Sequence, residues 1–319
     1  MLELLGLADN GFAVGVFDAC GVERRQLAVT PPMLATSLQA RVEFSEDHLL
    51  ALALEAVGRL NYDAGDIRTV ITANYYSLGG PTLAHQLVDR LDLDPDTDKY
   101  HVLGVGCASA VPLFRLASQA LLEDPESRVL VVGAESITGF LTACDPDAER
   151  TKIVGSALFG DGCAAALLTR DAAASGPALL AAKVHQLDGT LDAVRFVVDA
   201  DDSYMHMGRE LPALARDGVG ALVDDFLANR GLDRSRVEHW MIHPGGRGIV
   251  EAVEHGLELT PNQVQVSYDT LADHGNMGTP TSFYVLKATT DRHDPKPGQL
   301  GLMLTIGPGI TIGLMLLRW

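Results

Sequence analysis

Six short apolar runs leave this chain few ways to fold. Residues 69–73, 128–133, 163–168, 240–242, 301–306 and 310–317 hold one charge among them, Arg128. Strands without a wet face must be covered on both sides, and helical stretches at 47–60, 83–91 and 211–229 lie between them to do so. The pattern predicts an α/β protein. The most apolar stretch, 300–317, is interrupted by Gly301, Gly307, Pro308, Gly309 and Gly313, which suits two paired core strands better than a membrane span. A segment rich in Ala, Ser and Gly, 171–177, divides the chain near its middle. Each part has a helix pair, an apolar strand leading into a glycine turn and a closing strand pair, which predicts two similar halves, 1–170 and 178–319. No short-period repeat is present, which excludes a solenoid.

Three glycine-flanked segments carry the reactive side chains. Gly104-Val105-Gly106-Cys107-Ala108-Ser109-Ala110 follows a strand expected over 101–105 and precedes a helix expected over 111–122. Cys107 should therefore stand at a helix N-terminus, where exposed N–H groups and the helix dipole favour a thiolate. His243-Pro244-Gly245-Gly246-Arg247 and His274-Gly275-Asn276-Met277-Gly278 each end a strand or open a turn. A thiolate nucleophile needs an acid/base partner and donors for a developing oxyanion, and His243 and Asn276 are the types that supply them. Singly, each has a plainer reading: a small buried hydrophobe, a satisfied polar residue, a turn former. Together they form a pattern.

That pattern resembles the thiolase-superfamily condensing enzymes and, among them, the type III polyketide synthases of the chalcone and stilbene synthase family, which are related to ketoacyl synthase III. Leu158-Phe159-Gly160-Asp161-Gly162 is similar to the family's Phe-Gly-Asp-Gly turn, and Gly307-Pro308-Gly309 to its C-terminal Gly-Pro-Gly loop. His243-Pro244-Gly245-Gly246 separates this branch from the ketoacyl synthases, which usually carry His-Gln-Ala-Asn there. The resemblance runs from about residue 6 to 319. It implies a five-layer αβαβα thiolase-like fold with Cys107 from one half facing His243 and Asn276 from the other. It also implies an acyltransferase that loads an acyl-CoA starter on Cys107 and extends it by decarboxylative Claisen condensation with malonyl-CoA. His243 and Asn276 would donate to the malonyl thioester carbonyl, Phe159 would lie near the departing carboxylate, and Gly307, Pro308 and Gly309 would shape the cavity floor. No cofactor is implied. A homodimer is, with residues 75–81 matching a loop that reaches the partner's cavity.

The chain departs from the family at several places. Phe12, Gly15 and Ala19 stand where the family places cations for the coenzyme A phosphates, leaving Arg24 and Arg25 as substitutes. Tyr75 and Tyr76 take wall positions often held by Ser or Thr, Phe140 replaces a small polar residue, Met205 with His206 beside it replaces a gate phenylalanine, and Gly80 replaces a Met. The larger residues shrink the cavity, while Gly278 should open a little space. Short starters and few extensions are expected. The family's opening strand has no counterpart after Met1; placed centrally in the first sheet, its loss would leave ladder groups unpaired.

Composition narrows the rest. At 319 residues, 47% hydrophobic with 32 Gly, the chain can bury a large core. The net charge of −18 disfavours nucleic acid and an acidic carrier protein. The lack of a basic stretch after Met1 predicts a cytoplasmic enzyme. Cys20, Cys107, Cys144 and Cys163 have no metal-binding spacing and are expected reduced; His239 and His243 flank an apolar strand rather than a helical zinc motif. No metal or membrane association is expected. Gly160-Asp161-Gly162-Cys163-Ala164-Ala165 imitates a dinucleotide fingerprint but precedes a strand instead of following one. A hydrolase elbow needs glycines where Val105 and Ser109 stand. Two other functions fit the same residues: a noncondensing acyltransferase of the ketoacyl synthase III type, and a catalytically silent partner subunit.

Overall fold

The computed structural model describes all residues except 76–78, 143–144, 146–148 and 200–201. In chain order the first part comprises α1 (Gly11–Ala19), α2 (Leu38–Val57), β1 (Ile67–Ala73), α3 (Leu83–Arg90), β2 (Asp98–Val102), α4 (Ala110–Glu123), β3 (Arg128–Glu135), α5 (Arg150–Leu158) and β4 (Gly162–Leu168). There follow β5 (Ala178–Gln186), a hairpin of β6 (Val194–Val198) and β7 (Ser203–Met207), α6 (Leu211–Ala228), β8 (His239–Ile242), α7 (Arg247–Leu257), α8 (Pro261–His274), α9 (Thr279–His293), β9 (Leu300–Gly307) and β10 (Thr311–Arg318).

Period-two burial on the strands builds the layers. On β3, Val129 and Val131 face one core while Leu130, Val132 and Ala134 face another. On β9 and β10, Met303, Met315 and Leu317 turn to that first core, and Leu302, Leu304, Leu314 and Leu316 to a third. The shared core lies between the two sheets, around α4 and α9. Helices α2 and α3 cover the far face of the first sheet, and α6 and α7 that of the second. The order is helix, sheet, helix, sheet, helix, the five-layer αβαβα arrangement expected of a thiolase-like fold.

The first sheet runs β2-β1-β3-β4, with β4 antiparallel to β3; the second runs β5-β10-β9-β8, with β10 antiparallel to β9. In the second sheet the opening strand β5 pairs with the outer edge of β10. By the likeness of the halves, an opening strand in the first belongs outside β4, at the edge. The expectation of a central position is corrected, and with it the cost of leaving interior ladders unpaired.

Element ends also moved. The strand expected over 101–105 is β2, ending at Val102, because Gly104 (φ 83°) and Gly106 (φ 53°) turn the chain out of extended conformation. The helix expected over 47–60 begins at Leu38, where Ser37 accepts the Ala40 N–H at 3.2 Å. Among the described residues no helix is long and apolar enough to cross a membrane.

Candidate active site

Cys107 lies in a single 3-10 turn, Gly106–Ala108, directly ahead of α4. The turn is pressed from behind by Gly307, where an added Cβ would come within 2.6 Å of the Val105 carbonyl oxygen and 2.8 Å of Ala108 N. Gly307 therefore backs the nucleophile's turn instead of flooring the cavity. Gly309 lies farther off, in a left-handed conformation (φ 64°) near Gln186 and Leu191. Pro308 opens the short 3-10 turn between β9 and β10, and none of the three lines the cavity beside Cys107.

Asn276 comes to Cys107 from the second half. Both side-chain amide atoms are 3.7 Å from Sγ. The Gly278 N–H donates to Oδ1 at 2.8 Å and Nδ2 donates to the Gly245 carbonyl at 3.1 Å, so the amide presents its N–H₂ toward the sulfur. His243 follows β8, its own N–H donating to the Leu304 carbonyl at 2.8 Å. Its Nδ1 is 3.4 Å from Ser282 Oγ, while Nε2 is buried without a hydrogen-bond partner among the described residues. A serine hydroxyl both donates and accepts, so Ser282 can support either imidazole tautomer.

Burial dominates the electrostatics. It pushes the Cys107 thiol up to about 12 against the opposing hydrogen bond from Asn276, and pushes His243 down to about 3. Burial thus opposes both the thiolate that a helix terminus favours and a charged imidazole.

A narrow, partly open cavity lies in front of Cys107, lined by Tyr75, Phe140, Phe159, Met205 and Gly278 among others. These are sequence-expected wall positions; Tyr76 lies outside the described residues. Phe159 is 8% exposed and forms an isolated parallel bridge with Asn276, tying the Phe-Gly-Asp-Gly turn to the triad. Gly278 (φ 63°) opens no space: an added Cβ would lie 2.9 Å from Glu135 Cγ, whose side chain fills that side. Asp161 stays out of the cavity and knits the turn together, accepting from Thr138 N at 2.7 Å and Ala28 N at 3.0 Å.

The substitute cations are committed elsewhere. Arg24 pairs with Asp273 at 2.6 Å, and Arg25 turns inward to donate to the Phe159 carbonyl at 2.8 Å and to the Ser156 carbonyl. Lys152 does line the cavity, paired with Glu149 and Asp202. Sequence reasoning passed over Lys152, Phe196, Ser282 and Glu135. Glu135 had a signal: it is the one acid in strand β3, closing an uncharged run from Val129 to Ala134. It is 1% exposed, and burial pushes its carboxyl up to about 8. Cys20, Cys107 and Cys163 are free thiols; Cys144 lies outside the described residues.

Comparison with known proteins gives the same picture. Residues 25–172 match the profile of the N-terminal domain of chalcone and stilbene synthases, and residues 181–319 that of their C-terminal domain. The type III polyketide synthase 21 of Oryza sativa subsp. japonica is 32% identical over 83% of this chain and 70% of its own length. The 3,5-dihydroxyphenylacetyl-CoA synthase of Streptomyces toyocaensis is 26% identical over 100% of this chain and 85% of its own. The crystal structure of 1,3,6,8-tetrahydroxynaphthalene synthase from Streptomyces coelicolor A3(2) superposes with a TM-score of 0.90 at 22% identity, covering 99% of this chain and 94% of that one.

Proposed function

The chain belongs to the chalcone and stilbene synthase family, the type III polyketide synthases, and from that premise we propose how its own residues perform a decarboxylative condensation. The chain is a condensing acyltransferase, and membership implies acyl-CoA and malonyl-CoA as substrates. In the proposed cycle Cys107 attacks the starter thioester. His243 Nε2 takes the thiol proton in the tautomer that places a hydrogen on Nδ1, facing Ser282, and returns it to the departing thiol. With that proton returned, the imidazole takes its other tautomer, Nε2–H with Nδ1 accepting from the Ser282 hydroxyl, and His243 and the Asn276 amide donate to the malonyl thioester oxygen as carbon dioxide leaves and the enolate forms. The enolate carbon attacks the acyl group on Cys107, lengthening the chain by two carbons.

One observation supports this reading: the Asn276 amide, anchored to the Gly245 carbonyl in the turn after His243, stands 3.7 Å from Cys107 Sγ, and His243 Nε2 is buried with no hydrogen-bond partner among the described residues. Phe159 offers an apolar surface that favours loss of the charged carboxylate. Tyr75, Phe140 and Met205 narrow the cavity, which supports short starters and few extensions. Arg25 is occupied, so coenzyme A phosphates would rely on Arg24 or Lys152 exchanging present partners. Intact-protein mass after incubation with short acyl-CoA esters tests the loading step: Cys107 should gain one acyl group, and no gain where a control condensing enzyme gains one would refute it.

Residues 1–170 and 178–319 serve as the two halves of the unit, and the enzyme works as a homodimer in the cytoplasm. For the dimer, strand β2 is a sheet edge with Tyr100 and Leu103 exposed at 48% and 47%. Residues 76–78 of the loop at 75–81 lie outside the described residues. A concentration-independent monomer in sedimentation would contradict the dimer.

A further inference from the structure

The Tyr75 side chain has no ordinary structural reason for its oxygen. The residue is 3% exposed, and its hydroxyl is buried with no hydrogen-bond partner among the described residues. A phenol that only filled space would be better replaced by phenylalanine, because an unpaired buried donor costs free energy. The ring is fixed in place: it lies 4.7 Å from the Phe196 ring and 6.2 Å from the Phe140 ring, and the Tyr75 N–H donates to Glu135 Oε2 at 3.1 Å. Its oxygen is carried to the backbone next to the nucleophile, where a Cβ built on Gly106 would fall 1.9 Å from it. Tyr75 and Cys107 line the same cavity.

We propose that the Tyr75 hydroxyl is a catalytic donor to the carbonyl oxygen of the acyl group being transferred at Cys107. The inference rests on Cys107 as the acyl carrier. Condensation builds negative charge on two oxygens in turn, the enolate of the extender and the tetrahedral oxyanion of the acyl thioester. His243 and Asn276 are assigned to the first, and Tyr75 serves the second. As Sγ bonds to the acyl carbon, the carbonyl π pair moves onto oxygen and meets the phenol O–H. The pair then returns, the bond from carbon to the donor sulfur breaks, and the thiol proton reaches that sulfur through His243. Tyr75 keeps its proton throughout, and its desolvated phenol, raised well above its ordinary value, is suited to donating without ionising.

Tyr75→Phe tests this, because acylation passes through an oxyanion and alkylation of the same sulfur does not. Acylation of Cys107 by acetyl-N-acetylcysteamine and by acetyl-CoA, followed by rapid-quench mass measurement, should slow by about 10²-fold. Alkylation by iodoacetamide should change less than about twofold, and the melting temperature should hold or rise on removing an unpaired hydroxyl. Equal slowing of both reactions, no slowing of acylation, or a lowered melting temperature would overturn the proposal. If the parent enzyme accepts the small thioester but not acetyl-CoA, the coenzyme A reading fails while the Tyr75 comparison is decided by the small thioester alone.

Discussion

Asn276, which reaches Cys107, and His243 both stand on backbone that is itself locked: the His243 N–H donates to Leu304 in β9 at 2.8 Å, and the Asn276 N–H to the Leu158 carbonyl at 2.9 Å. The opposite wall is held otherwise. Phe140 stands on a one-turn 3-10 segment, and Phe196 and Met205 on the β6–β7 hairpin, whose strands pair only with each other among the described strands. These residues thus take their geometry from main-chain hydrogen bonds, and around Cys107 and Asn276 from glycines, Gly106, Gly275, Gly278 and Gly307, where an added Cβ would clash. The wall takes its geometry from aromatic contacts, Phe140 lying 5.0 Å from Phe196. Changes to the first should destroy chemistry; changes to the second should alter what the chemistry is done on.

The sharpest break in that contrast is Asn276→Ala. It removes one donor from the proposed enolate site and should lower condensation about 10²–10³-fold, measured as kcat with malonyl-CoA. A change in product length without loss of rate would place Asn276 on the wall side instead.

Phe140→Ser probes the wall and should have a smaller effect on rate. The residue is half-buried, against both the cavity and the core behind the first sheet. Products should lengthen or longer starters be accepted, with a stability loss below the roughly 3–5 kcal/mol of a fully buried Phe. Unchanged products with a sharply lowered melting temperature would make Phe140 a core residue.

Glu135→Gln should act least on rate and mainly on pH dependence. Its carboxyl is raised by burial from 4.5 to about 8 in the fold, so folding favours the protonated form. That contribution is complete below about 4.5 and is lost as pH rises through about 8. Parent stability should fall across this window relative to the Gln variant, whose urea midpoint should be flatter between pH 5 and 8. Parallel profiles would show that Glu135 ionises normally in the fold.

The sequence made the buried strands legible because burial on both faces leaves an unbroken apolar run, as in 128–133 and 310–317. It made Cys107, His243 and Asn276 legible as candidates because each sits beside glycines, of which Gly106, Gly275 and Gly278 are required by close packing. The start of α2 was hidden, since residues 38–46 mix charge and apolar character without a clean period. The β6–β7 hairpin gave no strong signal either, and Phe196 was missed with it. The setting of Cys107 was only partly legible, because a local rule about helix termini says nothing of how much chain closes over the sulfur, and that burial raises the thiol. Gly278 was misread for a related reason: the space it vacates is taken by Glu135, a contact between segments far apart in the chain.

The central claim is condensation at Cys107, and carbon accounting tests it most directly. With a short acyl-CoA starter and uniformly ¹³C-labelled malonyl-CoA, the purified enzyme should release one labelled carbon dioxide for each labelled two-carbon unit in its product, and Cys107→Ala should yield no extended product. Transfer of the starter to an acceptor without labelled carbon dioxide, or extended product undiminished in Cys107→Ala, would contradict the account.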